Sequence, residues 1–265
     1  MTLFEAIILG IVQGLTEFLP VSSSGHIELG TYLLGIQSAD NLLFSIIVHA
    51  ATALSTIVVF RRDIIDILRD FIKFQWNEGT RFALKLILSM IPIGVVGVLF
   101  EDEISEFFGG KIVFVGCMLL VTALLLTFTH FAPKKEGKVT FSKALLIGIA
   151  QTIAILPGLS RSGTTISVAL LAGVGREKAA RFSFLMVLIP ILGGSFLKLL
   201  EYLENPAIAD GISGGALVGG FLAAFIAGLI ACVWMLNIVK KGKLVHFAVY
   251  CAIVGLLAIF GGLYL

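Results

Sequence analysis

Charged residues are scarce in this chain: they make up 14% of its 265 residues, where soluble globular proteins carry roughly 25%. Hydrophobic residues make up 58%. A water-soluble fold cannot hide that much apolar surface behind so few charges, which excludes a soluble globular domain. Charge of one sign is also lacking. Nineteen Lys and Arg stand against seventeen Asp and Glu, a net charge of +2, so no nucleic-acid partner is expected. Cysteine is rare. Cys117, Cys232 and Cys251 lie inside apolar runs without CxxC spacing. That excludes a disulfide framework or a thiolate metal site, and all three are expected as small buried hydrophobes. No hydrophilic stretch is long enough for a soluble domain. The first residues lack a basic leading region and carry Glu5, Gln13 and Glu17 among apolar neighbours, so a signal peptide is not expected.

Long apolar runs are present instead. Six, near 42–60, 84–100, 112–131, 182–200, 214–239 and 244–265, reach the length a hydrocarbon core needs, about 20 residues. A spanning segment must satisfy its own backbone hydrogen bonds, so each should be a helix. Two further apolar segments are interrupted. One, near 3–19, breaks at Pro20 before Val21-Ser22-Ser23-Ser24-Gly25-His26, with a short helix expected near 26–35. The other, near 144–156, breaks at Pro157 before Gly158-Leu159-Ser160-Arg161-Ser162-Gly163, with a short helix near 163–174. Each half is too short or too polar to span, which predicts two re-entrant hairpins.

Loop charges set the expected orientation. Basic residues cluster at 61–85 (Arg61, Arg62, Arg69, Lys73, Arg81, Lys85), 134–143 (Lys134, Lys135, Lys138, Lys143), 176–181 (Arg176, Lys178, Arg181) and 240–243 (Lys240, Lys241, Lys243). Acidic residues dominate 101–106 (Glu101, Asp102, Glu103, Glu106) and 201–210 (Glu201, Glu204, Asp210). With the basic loops in the cytoplasm, the second hairpin enters from the cytoplasmic side, and the first lies on the outer side with both termini. An internal repeat accompanies this pattern. At an offset of 138, Gly10-Ile11 matches Gly148-Ile149, Gln13 matches Gln151, and Ser22 to Gly25 match Ser160 to Gly163. Each half is one hairpin plus three spans, and an odd number inverts the second half. The expected fold is an all-α polytopic membrane protein. It is a single integral membrane domain over 1–265, with six transmembrane helices, two re-entrant helical hairpins and inverted-topology repeats near 1–133 and 140–265.

Both hairpin tips are rich in Ser and Gly and open a helix. Free N–H groups and the helix dipole favour phosphate there, and Arg161 adds a bidentate donor. Glu17 lies at membrane depth, where an ionisable residue is costly and usually functional. Beside an anion site it makes sense as a ligand to Mg²⁺ or Ca²⁺ bridging to phosphate; the competing reading is a structural acid paired with Arg161. His26 suits a general acid, general base or nucleophile. Ser22, Ser23 and Ser24 offer a nucleophile or simple phosphate donors. His49 and Glu28 could border the site. Gln13 and Gln151 are expected chiefly to bond the opposing backbone.

The segment Gln13-Gly14-Leu15-Thr16-Glu17-Phe18-Leu19-Pro20-Val21-Ser22-Ser23-Ser24-Gly25-His26 resembles the first signature of the bacterial undecaprenyl-diphosphate phosphatases, or bacitracin-resistance family. Pro157 to Thr165 resembles the second, and Arg181-Phe182-Ser183-Phe184-Leu185 also fits. The resemblance covers essentially the whole chain. It implies removal of the terminal phosphate from undecaprenyl diphosphate, a divalent-metal requirement, an outward-facing site in the bacterial inner membrane, and tolerance to bacitracin. It implies catalytic roles for Glu17, Ser23, His26 and Arg161 and a phosphate contact for Thr165. The family pattern opens with Glu or Gln; Gln13 stands there, leaving Glu17 as the one carboxylate. Gln13, Ser22, Ser24, Gly25, Ser160, Ser162, Gly163, Thr164 and Thr165 complete the expected substrate-binding set. The expected partners are the polyprenyl diphosphate lipid, the bilayer and, left open, a second copy in a homodimer. The alternative function is a transporter or flippase of an anionic lipid, which needs anion binding but no nucleophile.

Overall fold

The computed structural model describes residues 1–35, 42–100, 103–104, 106–108, 110–133, 136–204 and 212–264. Of the residues behind the loop-charge pattern, Lys134, Lys135, Glu101, Asp102 and Asp210 lie outside these, as do the Glu201 side chain and Leu265 at the end of the last expected span. Among the described residues all regular structure is helical, apart from one isolated bridge between Gly137 and Val174. In chain order the helices are α1 (Leu3–Phe18), α2 (Ser23–Leu34), α3 (Leu42–Val59), α4 (Arg61–Ile72), α5 (Glu78–Leu99), α6 (Ile112–Phe128), α7 (Phe141–Ile153), α8 (Arg161–Leu171), α9 (Arg176–Glu204), α10 (Gly214–Lys241) and α11 (Val245–Tyr264). Five are long and apolar enough to cross a bilayer: α5, α6 with its continuation to Phe131, α9, α10 and α11. α3 with α4 makes a sixth candidate, bent by 77°. The chain is a polytopic membrane protein.

The helices begin where the sequence provides caps. Thr2 accepts from the Glu5 amide while the Glu5 carboxylate accepts from the Thr2 amide at 2.7 Å, a capping box that opens α1. Thr140 caps α7 through the Lys143 amide, and Asn77 caps α5 through the Thr80 amide at 2.8 Å. α1 ends at the residues before Pro20, whose ring forces Leu19 into extended backbone. Two features depart from the expected elements. The basic stretch at 61–85 is not a loop: it holds α4, whose Ile67 is buried while Ile65, Leu68 and Ile72 are exposed. Arg181 pairs with Asp63 of this helix at 2.6 Å. The expected span at 182–200 extends back to Arg176, because helix geometry continues into its polar flank once the apolar run is anchored. Among the cysteines, Cys232 and Cys251 are buried as expected, but Cys117 is exposed; all three are free.

Small residues set the closest helix contacts. α1 lies against α10: a Cβ on Gly10 would strike the Gly220 carbonyl, and one on Gly14 would fall 2.5 Å from the Ala224 carbonyl oxygen and 2.9 Å from the Gly228 amide nitrogen. α7 lies against α5, where a Cβ on Gly148 would strike the backbone of Ser89. Without a hydrophobic drive between helices in lipid, such close backbone approach supplies much of the association. Gly14→Leu should therefore lower stability by about 1–3 kcal/mol or more, seen as a lower unfolding midpoint in detergent. Gly94→Ala, at a glycine with nothing within 4 Å of its Cβ position, should leave the midpoint unchanged or raise it.

Candidate active site

The two Ser/Gly-rich breaks meet. A Cβ on Gly25 would lie 3.0 Å from Gly158 Cα, and one on Gly163 would lie 3.2 Å from Pro20 Cβ. The Ser162 hydroxyl donates to the Leu19 carbonyl at 3.2 Å, joining the second tip to the end of α1. The tips are built alike. Ser22 accepts from the Gly25 amide at 3.2 Å, and Ser160 accepts from the Gly163 amide at 3.1 Å. In each, the capping hydroxyl lies 3.3 Å from the hydroxyl two residues on, Ser24 or Ser162. Their strain differs. Ser22 sits at φ 71°, a left-handed conformation unfavourable for a residue with a Cβ, whereas the second tip places Gly158 at φ 93° instead. Sequence reasoning missed Thr122 of α6. Its hydroxyl accepts from the Ser160 amide at 3.1 Å and lies 3.1 Å from the Gly158 carbonyl, fixing the second tip against a spanning helix.

Glu17 stands at the junction, with its side chain only 5% exposed. Its Oε2 accepts from the Ser23 hydroxyl at 2.6 Å and from Gln13 Nε2 at 2.8 Å. Its Oε1 faces Arg161 Nη2 at 3.4 Å, across 144 residues of sequence. His49 Nε2 approaches Oε2 at 4.0 Å, which brings this bordering candidate into the site. Glu17, Ser22, Ser23, Ser24, Ser160, Arg161 and Ser162 line one polar cleft with Thr16 and Leu159. Its interior has room for about one water. A second, apolar crevice begins at Glu17 and Ser162 and runs along Phe184, Val187, Leu188 and Ile191 of α9.

The remaining expected site residues lie outside the cleft wall. Gly25 and Gly163 serve the contact between the tips. Thr165 turns its hydroxyl to the Arg161 carbonyl at 2.9 Å, and Thr164 keeps a buried hydroxyl with no partner. Gln13 bonds Glu17 rather than opposing backbone, because Glu17 lies four residues on along the same helix face, and Gln151 lies 4.0 Å from Met90 Sδ; both side chains are buried and both Oε1 atoms lack a partner among the described residues. Glu28 accepts from the Gly110 amide, away from the cleft. His26 also points elsewhere: Nδ1 lies 2.8 Å from the Ser22 carbonyl and Nε2 lies 2.8 Å from the Tyr250 hydroxyl. Tyr250 carried no motif signal, since its partner is 224 residues away.

Chemically, the cleft joins a hydroxyl bonded to a carboxylate, the pairing that activates an oxygen nucleophile, with a guanidinium suited to phosphate oxygens. Among the described residues no group of three His, Cys, Asp or Glu gathers to hold a metal ion. The carboxylate oxygen donor at the cleft is Glu17, with the Ser22, Ser23, Ser24, Ser160 and Ser162 hydroxyls around it, since Gln13 turns its Nε2 and not its buried Oε1 toward Glu17. Such oxygens suit a hard cation, provided the substrate's own oxygens complete the shell.

The chain matches the family described as bacitracin resistance protein BacA over residues 6–257. It is 52% identical over 257 residues to an undecaprenyl-diphosphatase of Bacteroides fragilis, covering 97% of both chains. It is 53% identical over 261 residues to an undecaprenyl-diphosphatase of Christiangramia forsetii, covering 98% of both. An undecaprenyl-diphosphatase of Korarchaeum cryptofilum is 44% identical over 266 residues, with 97% of this chain and 98% of that one covered. A family match along nearly the whole chain, and relatives of about half identity covered over nearly their full length, make this protein a member of the bacitracin resistance protein BacA family.

Proposed function

We propose that this protein hydrolyses undecaprenyl diphosphate to undecaprenyl phosphate and inorganic phosphate, recycling the carrier lipid for cell-wall synthesis and conferring bacitracin tolerance. The relatives' shared activity supports this, and one contact carries it: the Ser23 hydroxyl held at 2.6 Å by a buried carboxylate that also faces Arg161. In the proposed reaction Ser23 Oγ attacks the terminal phosphorus as its proton passes to Glu17 Oε2. The bridging P–O bond breaks and undecaprenyl phosphate leaves. Water then attacks the phosphoserine and releases phosphate, restoring Ser23. Arg161 neutralises charge on the transferred group, so the catalysis is mainly positioning and electrostatics. Of Ser23, His26 and a water activated by His26, Ser23 is the best placed to attack, because His26 faces Tyr250 and the Ser22 carbonyl. The apolar crevice beside Glu17 suits the first isoprene units.

A divalent cation, Mg²⁺ or Ca²⁺, would be held by the Glu17 carboxylate. Its chemistry there would be neutralisation of the diphosphate charge. Both tips come from one chain, so the cleft is complete in a single copy, whether or not the protein assembles as a homodimer.

The topology proposed is an inverted repeat with two re-entrant hairpins, α1–α2 and α7–α8, in the bacterial inner membrane with the site open to the periplasmic side. Several features support it. Thr2 and Thr140 cap α1 and α7 at the same offset that relates Ser22 to Ser160. The packing is reciprocal, with α1 of one half on α10 of the other and α7 on α5. The basic residues of α4, of the start of α9 and of the α10–α11 turn favour the cytoplasm. That reciprocal packing also favours the rival reading, a transporter or flippase of an anionic lipid, which would bind diphosphate lipid without splitting it.

Purified protein in detergent should release phosphate from undecaprenyl diphosphate; movement of intact lipid with no phosphate release would leave the transporter reading standing. Glu17→Ala and Arg161→Ala should each lower turnover by about 10²–10³ or more; Arg161→Ala, which strips the buried Glu17 of its counter-charge, should also lower the unfolding midpoint. Ser23→Ala should be as damaging as either, and Ser24→Ala much milder, when initial rates are compared. Chelation with EDTA should stop phosphate release, and added Mg²⁺ or Ca²⁺ should restore it in a phosphate-release assay.

A further inference from the structure

We propose that Tyr250 is a positioning residue for this reaction, acting through His26 to hold the first tip in the shape that aims Ser23. The proposal rests on the phosphatase reading above and adds a residue outside both signatures.

The contacts form a chain. His26 Nδ1 lies 2.8 Å from the Ser22 carbonyl oxygen. A carbonyl only accepts, so Nδ1 carries the hydrogen and, in the neutral ring, Nε2 is the acceptor. Tyr250 meets that acceptor with its hydroxyl at 2.8 Å, and the two rings lie 12° from parallel with centroids 5.6 Å apart. The Ser22 carbonyl thus sets the tautomer, and the phenol, donating to Nε2, holds the ring in the orientation from which Nδ1 reaches Ser22. The other tautomer would set a bare Nδ1 lone pair against the carbonyl oxygen. Ser22 needs such a clamp. Its φ of 71° is a strained conformation for a residue with a Cβ, and strained residues persist only where their surroundings over-determine them. The same carbonyl takes the His26 backbone amide at 3.1 Å, so two donors hold this one oxygen. The next residue is Ser23, whose hydroxyl must meet Glu17. Neither His26 nor Tyr250 lines the cleft, so their effect on the reaction is through the backbone of the tip. α11 is further tied to the break by Cys251, whose thiol lies 3.7 Å from the Pro20 carbonyl.

The test is Tyr250→Phe in the full-length protein in detergent, which keeps the ring and deletes only the hydroxyl. Two readouts are taken: steady-state kinetics on undecaprenyl diphosphate, and nitrogen NMR of the four ¹⁵N-labelled histidines, with His26 assigned by the signal lost in His26→Gln. The expected result is a kcat lower by about tenfold, the effect of losing one hydrogen bond of ordinary strength. KM should stay within about twofold, as for an interaction made mainly in the transition state. The His26 Nε2 resonance should move toward that of an unbonded acceptor. Parental kcat overturns the proposal. So does a raised KM at full kcat, which would make Tyr250 a substrate contact, or a lowered kcat with the His26 resonance in place. A parent protein that releases no phosphate defeats the phosphatase reading instead, while the resonance still reports whether Tyr250 sets the imidazole.

Discussion

Everything at the heart of this protein follows from hiding the charge of Glu17. A carboxylate that is 5% exposed, on a mostly apolar helix, has lost most of its hydration. Removing an ion from water costs several kcal/mol unless partners replace the lost contacts. Two come from nearby, Ser23 and Gln13. The compensating positive charge, Arg161, comes from the other half of the chain. The burial of one side chain therefore dictates that two distant breaks meet, and the rest of the architecture can be understood as the means of bringing them together.

Those means are mostly steric. Proline ends α1, which frees the backbone to turn, and the serines take over the amides that the new helix start leaves unpaired. Glycine sits where the tips press on each other and on neighbouring helices. Thr122 braces the second tip from α6, while His26 and Tyr250 brace the first from α11. Each tip is thus held by a spanning helix, and the strain at Ser22 is balanced by bonds made outside the segment that bears it.

The sequence reveals the spans and both breaks because these depend on local properties: run length, proline and the serine-glycine pattern. The membership of Glu17, Ser23 and Arg161 in one site was legible for the same reason, since a charge in an apolar run has to be answered. Three things were not legible. The charges of α4 point to a loop, although Ile64, Ile67 and Phe71 mark a helical face. The direction of the His26 ring depends on Tyr250, and the bracing of Ser160 on Thr122, pairings that no spacing rule connects. Gln13 and Gln151, 138 positions apart, find different neighbours, a carboxylate and a thioether, which their matching place in the sequence pattern does not reveal.

The seating of α1 on α10 also bears on how the chain is made. The glycine face of α1 fits residues 220–228, which leave the ribosome some two hundred residues later. Until then the glycine face of α1 has no surface to close against, although Arg161, the partner of Glu17, is already made. A truncation before α10 would therefore leave the earliest-made helix without the one it packs on.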